Sequence, residues 1–517
     1  MNSLLSCVAA GAALALCLPK PGLGFLAYGV PAVLLDRAAR ASSPGRAAAL
    51  GLAFGAAFCG TTLNWVYFTC RFAGVAAPVS GLAWAALAAF LALPWAAFGW
   101  AVRLFSRRLP RAAAPLAWAA AWAALESAGS HWTPRFAVDL LSYTQWRHLA
   151  MIQVGALFGP HALSWLLMLW NGALAGAIRA WREGGPGAVL RDRGLRWNAG
   201  LAVVLLAACA AYGTGVLRGR ADPGAAPGGG LRVEILQPDI DQYQKWDSGS
   251  AAGIRAVFDG LLAGARAGRP DLVVWPESGL PGWFDDPENG EWAAGIARKL
   301  QAPMIVGSVT RAGTGMRNSA VHLGASGSVE GLYHKRVLVP FGEFVPWRRW
   351  LEPWVGILSQ MGDMEPGSRG QALFRTAAGP TAASICYEAA FPHLLRADAG
   401  RGARVFVNLT NDGWYKDTWA PYQHFTVNVF RAVENRVTLV RAANTGISGV
   451  IDPYGVVLAR TELRTRARLD VRVSPAPAFP DGSWYSRNGD WFGYGAMAVS
   501  ALLLGWAFRR GTRPERG

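Results

Sequence analysis

Three side chains in this sequence carry the groups that nucleophilic catalysis needs, namely a thiol, an ammonium and a carboxylate. Cys386 lies where a short apolar run meets a helical stretch, and such a corner exposes a nucleophile to backbone N–H groups. Glu277 follows the apolar run 272–275, and the carboxyl ends of buried strands are where α/β sheets collect their sites. Lys335 is one of only five lysines among 50 basic residues. Because this sequence uses arginine at nearly every other basic position, a lysine here suggests a specific role, namely a compact ammonium that stabilises a negative intermediate.

Each of these residues also has an ordinary structural explanation. Cys386 could be a small buried hydrophobe, Lys335 a surface charge at the end of a strand, and Glu277 a helix cap or loop charge. The other five cysteines lie within or at the ends of long apolar runs, so the segment around Cys386 has no partner for a disulfide. Taken together, the three residues supply a nucleophile, an oxyanion stabiliser and a base.

The segment that contains these residues has the pattern of an α/β domain. Short β-rich runs alternate with helical stretches between residues 218 and 490, and this alternation is typical of strands joined by helices. The strands are predicted at 231–236, 272–275, 304–309, 382–386 and 405–409, and helices at 251–267 and 419–435.

The rest of the chain has the composition of a membrane protein. Of its 517 residues 52% are hydrophobic and only 16% are charged, which excludes a disordered chain and a disulfide-stapled secreted domain. We predict a bundle of seven transmembrane helices in residues 1–217, an outer domain in 218–490, and an eighth helix with a basic tail in 491–517. The eight apolar runs are 4–18, 23–35, 48–70, 80–105, 112–124, 149–178, 197–217 and 491–508.

The distribution of basic residues predicts the orientation in the membrane. The connections between consecutive spans fall into two alternating sets, one for each side of the membrane. One set, together with the C-terminal tail, holds 16 arginines, whereas the short connections of the other set hold only four basic residues. Since Lys and Arg near helix ends resist export, both termini are predicted to be cytoplasmic and residues 218–490 periplasmic. This orientation also explains the net charge of +17 better than binding to nucleic acid does.

Several motifs resemble the nitrilase superfamily, whose members share a Glu-Lys-Cys triad in an αββα sandwich. More specifically, eight spans around an outward domain resemble the apolipoprotein N-acyltransferase family. The matching segments are Trp275-Pro276-Glu277, Lys335 with Pro340-Phe341-Gly342-Glu343, Ile385-Cys386-Tyr387-Glu388, Lys245-Trp246-Asp247, and residues 409–414, 431–436 and 440–448.

The resemblance implies a two-step acyl transfer in the bacterial inner membrane. Cys386 is the implied nucleophile, Glu277 the base and acid, and Lys335 the oxyanion stabiliser. The implied donor is a membrane phospholipid, and the acceptor is the N-terminal amine of an S-diacylglyceryl-cysteine apolipoprotein, with no cofactor and no metal. Supporting roles are implied for Glu343, Trp246, Tyr387 and Glu388, and a hydrogen-bonded scaffold is expected from Asn408, Asn411, Asp412 and Glu434.

Three other functions remain open at this point. A membrane-tethered amidase or nitrile hydrolase would use the same residues with water as the acceptor, but it does not account for eight spans. A transporter would place ionisable residues inside the spans, and the apolar runs hold few. A catalytically inactive scaffold would not require the Glu, Lys and Cys residues together.

We expect a monomer.

Overall fold

The computed structural model describes residues 3–131, 138–220, 230–264, 269–313, 315–351, 363–474 and 482–509. The chain divides into two compact units. The first unit comprises Met1–Gly219, Thr418–Thr426 and Asn488–Gly517, and the second comprises Arg220–Asp417 and Val427–Arg487.

The first unit is helical, and the second combines helices with sheets. In chain order the helices are α1 Ser3–Ala15, α2 Val30–Ala39, α3 Pro44–Thr62, α4 Trp65–Phe72, α5 Ala77–Leu91, α6 Leu93–Arg108, α7 Ala114–His131, α8 Leu149–Ile152, α9 Gly155–Phe158, α10 Pro160–Arg191, α11 Arg193–Arg218, α12 Ala251–Leu262, α13 Pro287–Leu300, α14 Arg348–Leu351, α15 Pro392–Gly400, α16 Ala420–Asn435, α17 Trp484–Asn488 and α18 Trp491–Arg509.

In the part of the chain that the structure describes, four helical segments are long and apolar enough to cross a membrane. They are Ala77–Arg108, Pro160–Arg191, Arg193–Arg218 and Trp491–Arg509. A fifth span is obtained if α3 and α4, which meet at a bend of 47°, are one broken span. The predicted count of eight therefore stays a prediction.

One predicted span is wrong in its extent. The apolar run 149–178 predicts one candidate span, but the structure breaks it into α8, α9 and the start of α10. Gly159 has φ 74° immediately before Pro160, and a left-handed glycine followed by proline ends one helix and begins the next. Periodicity could not reveal this break, because the residues on both sides of it are apolar.

The second unit contains two six-stranded sheets. In chain order the strands are β1 Leu231–Gln237, β2 Leu272–Val274, β3 Met304–Ala312, β4 Gly315–Leu323, β5 Val329–His334, β6 Phe374–Thr376, β7 Gly379–Ile385, β8 Val405–Thr410, β9 Thr438–Ala443, β10 Gly449–Ile451, β11 Val457–Arg460 and β12 Ala467–Val473. The strand orders are β12-β1-β2-β3-β4-β5 and β11-β10-β9-β8-β7-β6.

Each sheet has a parallel centre and antiparallel edges. In the first sheet β1, β2 and β3 are parallel, and in the second sheet β7, β8 and β9 are parallel. All six residues of β8 and all six of β9 are buried, as expected for central strands that are covered on both faces. Such strands carry continuous apolar runs, which is why the sequence located them.

The sheets are packed between further layers. Strand β1 lies against β9, and β4 lies against β7. Helices α12 and α13 cover the first sheet, where Phe258 stacks on Trp275 with ring centroids 4.2 Å apart. Helix α15 packs against β7 of the second sheet. This arrangement confirms the predicted nitrilase-like α/β fold.

Candidate active site

Strand ends in both sheets bring the three predicted catalytic residues into one buried region. Glu277 follows β2, Lys335 follows β5 directly, and Cys386 follows β7 directly. All three side chains are buried, and Cys386 interacts electrostatically with both Glu277 and Lys335. The structure therefore brings together the three residues that the sequence singled out, and their catalytic roles stay a prediction.

Lys335 and Glu277 belong to a hydrogen-bonded cluster with two further side chains. The Nζ atom of Lys335 donates to Oε1 of Glu343 at 2.8 Å and to Oε1 of Glu277 at 3.4 Å. The Nδ2 atom of Asn318, on β4, donates to the same two oxygens, at 2.8 Å to Glu343 and 2.6 Å to Glu277. An ammonium and an amide thus link the two carboxylates.

The cluster keeps Lys335 charged although its side chain is only 1% exposed. Burial on its own would lower the pKa of Lys335, but the charges of Glu343 and Glu277 outweigh burial and raise that pKa well above its usual value. A buried carboxylate also needs such a partner, because an unpaired buried charge is costly. Glu343 is fixed further by the backbone N–H of Val339, which donates to Oε2 at 2.8 Å.

Cys386 occupies a sharp corner between β7 and the 3-10 turn Cys386–Ala390. Its φ of 53° lies in the left-handed region, which is uncommon for a residue with a Cβ atom and is concentrated at functional sites. The Nδ2 atom of Asn408 donates to the Cys386 carbonyl at 3.3 Å. Burial, followed by the negative charge of Glu277, raises the pKa of the Cys386 thiol to about 12, against the opposing effect of Lys335.

Glu388 connects the cysteine corner to the lysine strand end. Its Oε2 accepts from the N–H of Ile385 and the hydroxyl of Tyr333, each at 2.7 Å. Its Oε1 accepts from the N–H groups of Arg336 at 2.6 Å and Val337 at 3.2 Å. One buried carboxylate therefore binds the residue before Cys386 and the residue after Lys335.

The remaining predicted supporting residues are aromatic. The Tyr387 ring is buried and packs edge-on against Phe391, with centroids 4.8 Å apart. Trp246 ends the 3-10 turn Gln244–Trp246, and its side chain lies outside the described part of the structure. The structure therefore shows where the Tyr387 ring lies, whereas the place of the Trp246 side chain near the site stays a prediction.

A buried arginine organises the strand ends behind the site. Arg441 donates from Nη1 to Oδ1 of Asn408 at 2.6 Å and from Nη2 to Oδ2 of Asp412 at 3.0 Å. Asn411 accepts from Asn444 at 3.1 Å, and Glu434 accepts from Arg431 at 2.7 Å. These contacts match the hydrogen-bonded scaffold that was expected from the four polar residues.

Two residues of the site were not identified from the sequence as site residues. Asn318 gives no local signal, because it is a single polar residue within a strand. Lys245 is only 3% exposed, and its Nζ donates to the backbone carbonyl of Glu277 at 3.4 Å. Burial lowers the pKa of Lys245 to about 7, although Glu277 acts in the opposite direction. The rarity of lysine, which drew attention to Lys335, applies equally to Lys245.

Metal binding has no support among the residues that the structure describes. They contain no group of three or more His, Cys, Asp or Glu side chains that could hold a metal ion.

Comparison with protein families finds one match in the N-terminal part of the chain and another in the C-terminal part. Residues 241–475 match the family model described as carbon-nitrogen hydrolase, so the second unit is a domain of the nitrilase class. Residues 10–173 match the model described as the apolipoprotein N-acyltransferase N-terminal domain. The apolipoprotein N-acyltransferase of Geobacter metallireducens is 36% identical over 98% of this chain and 95% of its own. The chain belongs to the apolipoprotein N-acyltransferase family, which is a family of acyltransferases.

A second relative and a solved structure are also similar to this chain. The apolipoprotein N-acyltransferase of Bordetella bronchiseptica is 32% identical over 98% of this chain and 97% of its own. The crystal structure of a carbon-nitrogen hydrolase from Helicobacter pylori G27 covers 46% of this chain and 88% of its own, with a TM-score of 0.38 and 20% identity.

Proposed function

We propose that this protein transfers an acyl chain from a membrane phospholipid to the N-terminal amine of an S-diacylglyceryl-cysteine apolipoprotein. The observation that carries the proposal is the buried cluster of Lys335, Glu277 and Glu343 in electrostatic contact with Cys386. Family membership over almost the whole chain supports the same activity.

In the first step Cys386 attacks the ester carbonyl of the phospholipid. The raised pKa of Cys386 means that the resting thiol is neutral, so Glu277 accepts the proton as the S–C bond forms. The Lys335 ammonium stabilises the negative oxygen of the tetrahedral intermediate. When the ester C–O bond breaks, Glu277 returns the proton to the glycerol oxygen, and lysophospholipid leaves a thioester on the enzyme.

In the second step the amine of the apolipoprotein attacks the thioester. The N–C bond forms, Glu277 accepts a proton from the amine, and the C–S bond breaks. The proton then passes to the sulfur, which restores the Cys386 thiol. The two steps together exchange an ester for an amide, which is favourable, and the mechanism is a ping-pong acyl transfer that uses no cofactor.

The supporting residues keep these groups in place. Glu343 holds the Lys335 ammonium through its 2.8 Å hydrogen bond. Glu388 fixes the distance between the cysteine corner and the lysine strand end through its contacts with both. Tyr387 and Trp246 are assigned to the surroundings of the acyl and amine sites.

The membrane arrangement completes the proposal. Residues 1–217 form seven transmembrane helices, residues 218–490 form a periplasmic catalytic domain, and residues 491–517 form the eighth helix with a cytoplasmic tail. The substrates each carry two acyl chains and remain in the bilayer of the inner membrane, which explains a catalytic domain fused to membrane helices. The protein acts as a monomer.

Acylation of Cys386 tests the first step directly. Purified full-length protein is incubated without acceptor with a phospholipid that carries a labelled sn-1 acyl chain, and its intact mass is measured. We expect one acyl group that hydroxylamine removes, as a thioester requires. Cys386→Ala should show no adduct, whereas the matched control Cys209→Ala, which removes another buried free cysteine, should show it unchanged.

The alternative enzyme would give a different result. A membrane-tethered amidase would hydrolyse small amides and would form no adduct with any phospholipid. That pair of observations would overturn the acyltransferase proposal, because the nucleophile would then pass its acyl group to water rather than take it from a lipid.

A further inference from the structure

A polar cavity lies in the helical unit and is lined by arginines. Its volume is about 260 Å³, and it is bordered by the start of α1, the end of α2 and the first turns of α3. No acidic residue lines it among the residues that the structure describes. The lining residues are Ser3, Arg37, Arg40, Ala41, Ser42, Arg46 and Leu50.

The carboxylate that binds the cavity residue Arg40 is shared with a second arginine. The buried Asp36 binds Nη2 of Arg40 in a short ion pair, and its Oδ2 also accepts from Nη1 of Arg182 at 2.8 Å. The Nε atom of Arg40 donates to the Asp36 carbonyl at 3.3 Å, so its guanidinium is held in position. Four arginines, counting Arg37 and Arg46, therefore lie near one carboxylate, so positive charge is in excess around the cavity.

A helix terminus adds to this positive potential. Helix α3 has 19 residues, and its N-cap Ser43 accepts a hydrogen bond from the N–H of Arg46 at 3.1 Å. The N-terminus of a helix carries a partial positive charge and favours anions. The cavity thus combines several guanidinium groups, of which that of Arg40 is held by Asp36, with a favourable helix end, which is the chemistry that binds a phosphate.

Exposed apolar residues lie on α1, the helix whose first residue lines the cavity. On α1, which begins at the cavity residue Ser3, the side chains of Leu5 and Val8 are 61% and 40% exposed. Residues three apart lie on the same face of a helix, so they form an apolar strip that leads away from the arginines. A ligand with a phosphate and an acyl chain fits both features, whereas free phosphate or a nucleic acid would leave the apolar strip uncovered.

We propose that this cavity binds the phosphate of an anionic phospholipid headgroup, with the acyl chains along the exposed face of α1. Basic pockets between membrane helices on the cytoplasmic side are a recognised arrangement for anionic headgroups. Arg37, Arg40 and Arg46 belong to the connections that the charge distribution predicts to be cytoplasmic. The site is separate from the acyl transfer proposed above and binds lipid without consuming it.

Lipid retention by the purified full-length protein tests the proposal. The affinities for dioleoyl phosphatidylglycerol and dioleoyl phosphatidylcholine are measured by native mass spectrometry. We expect a preference for phosphatidylglycerol that falls about tenfold in the double variant Arg37→Gln/Arg46→Gln, because two charge-assisted contacts are removed. The matched control Arg193→Gln/Arg196→Gln removes the same charge from two exposed arginines outside the cavity and should keep the preference.

Two further measurements separate specific lipid binding from misfolding of the variant and from binding of phosphate alone. Arg37→Lys/Arg46→Lys keeps the charges that orient the membrane helices and should retain most of the preference, even if the Gln pair fails to insert correctly. Inorganic phosphate should displace the lipid only weakly. Equal losses in the two Gln double variants, no preference in the unaltered protein, or complete displacement by millimolar phosphate would each overturn the proposal.

Discussion

Cys386 combines a sharp backbone corner with a buried thiol that stays neutral at rest. Because only the thiolate reacts with alkylating agents, and the pKa of Cys386 is raised to about 12, we expect iodoacetamide to modify it slowly at pH 8. The rate should rise about tenfold with each pH unit between 8 and 11. Peptide mapping of the labelled protein measures this rate at Cys386, and a plateau below pH 9 would contradict the neutral resting thiol.

Lys245 makes stability depend on pH in a predictable direction. The pKa of Lys245 is lowered by burial from 10.5 to about 7 in the folded protein, so between these values the unfolded chain binds a proton that the folded chain releases. Stability therefore rises with pH over this window. We expect Lys245→Met to remove most of this rise between pH 7 and 9, where the raised pKa of Cys386 contributes little.

The thermal unfolding midpoint as a function of pH measures this effect. Lys299→Met is the matched control, because Lys299 is an exposed lysine on α13 and its removal should leave the slope unchanged. Parallel curves for the unaltered protein and Lys245→Met would show that Lys245 does not titrate in this range.

At the scale of elements, Glu388 joins a strand of each sheet to the site. Its carboxylate accepts four hydrogen bonds from the ends of β5 and β7 and from the residues that follow β5. In Glu388→Gln an amide N–H₂ replaces one acceptor oxygen, and at least one buried donor loses its partner. We expect the free energy of unfolding to fall by about 1–3 kcal/mol and the rate of Cys386 acylation to fall with it.

Denaturant unfolding and the acylation assay check these two effects together. Glu291→Gln is the control, since Glu291 is an exposed glutamate whose ion pair with Arg298 lies at the surface, and exposed pairs contribute little. If Glu388→Gln lost neither stability nor acylation rate, Glu388 would not position the two strand ends.

The strand ends of the site could be predicted from local sequence, but the contacts between strands could not. Buried parallel strands are continuous apolar runs, so the positions of Glu277 and Cys386 after such runs were visible. Asn318 reaches Glu277 and Glu343 only because β4 pairs with β3 and β5, and that pairing has no signal within the strand itself. The network around Arg441 depends in the same way on residues that are distant in sequence.

At the scale of the whole molecule, the charge distribution predicts which segments face the periplasm. Val329→Cys, at a β5 position that is 50% exposed, should react with a membrane-impermeant maleimide in cells with a permeabilised outer membrane. Glu183→Cys, at an exposed position near the basic end of α10, should react only after lysis. The unaltered chain gives the background labelling, and the reverse pattern would place the catalytic domain in the cytoplasm.

The protonation state of Cys386 has a consequence for oxidative stress. Peroxide attacks the thiolate form of cysteine, and Cys386 is the only cysteine in residues 220–487, so this segment offers no partner for an internal disulfide. A nucleophile stored as a buried neutral thiol is thereby shielded in an oxidising compartment. We expect acyl-transfer activity to survive peroxide concentrations that inactivate enzymes with a resting thiolate, and we expect the protein to work without a dedicated reductant.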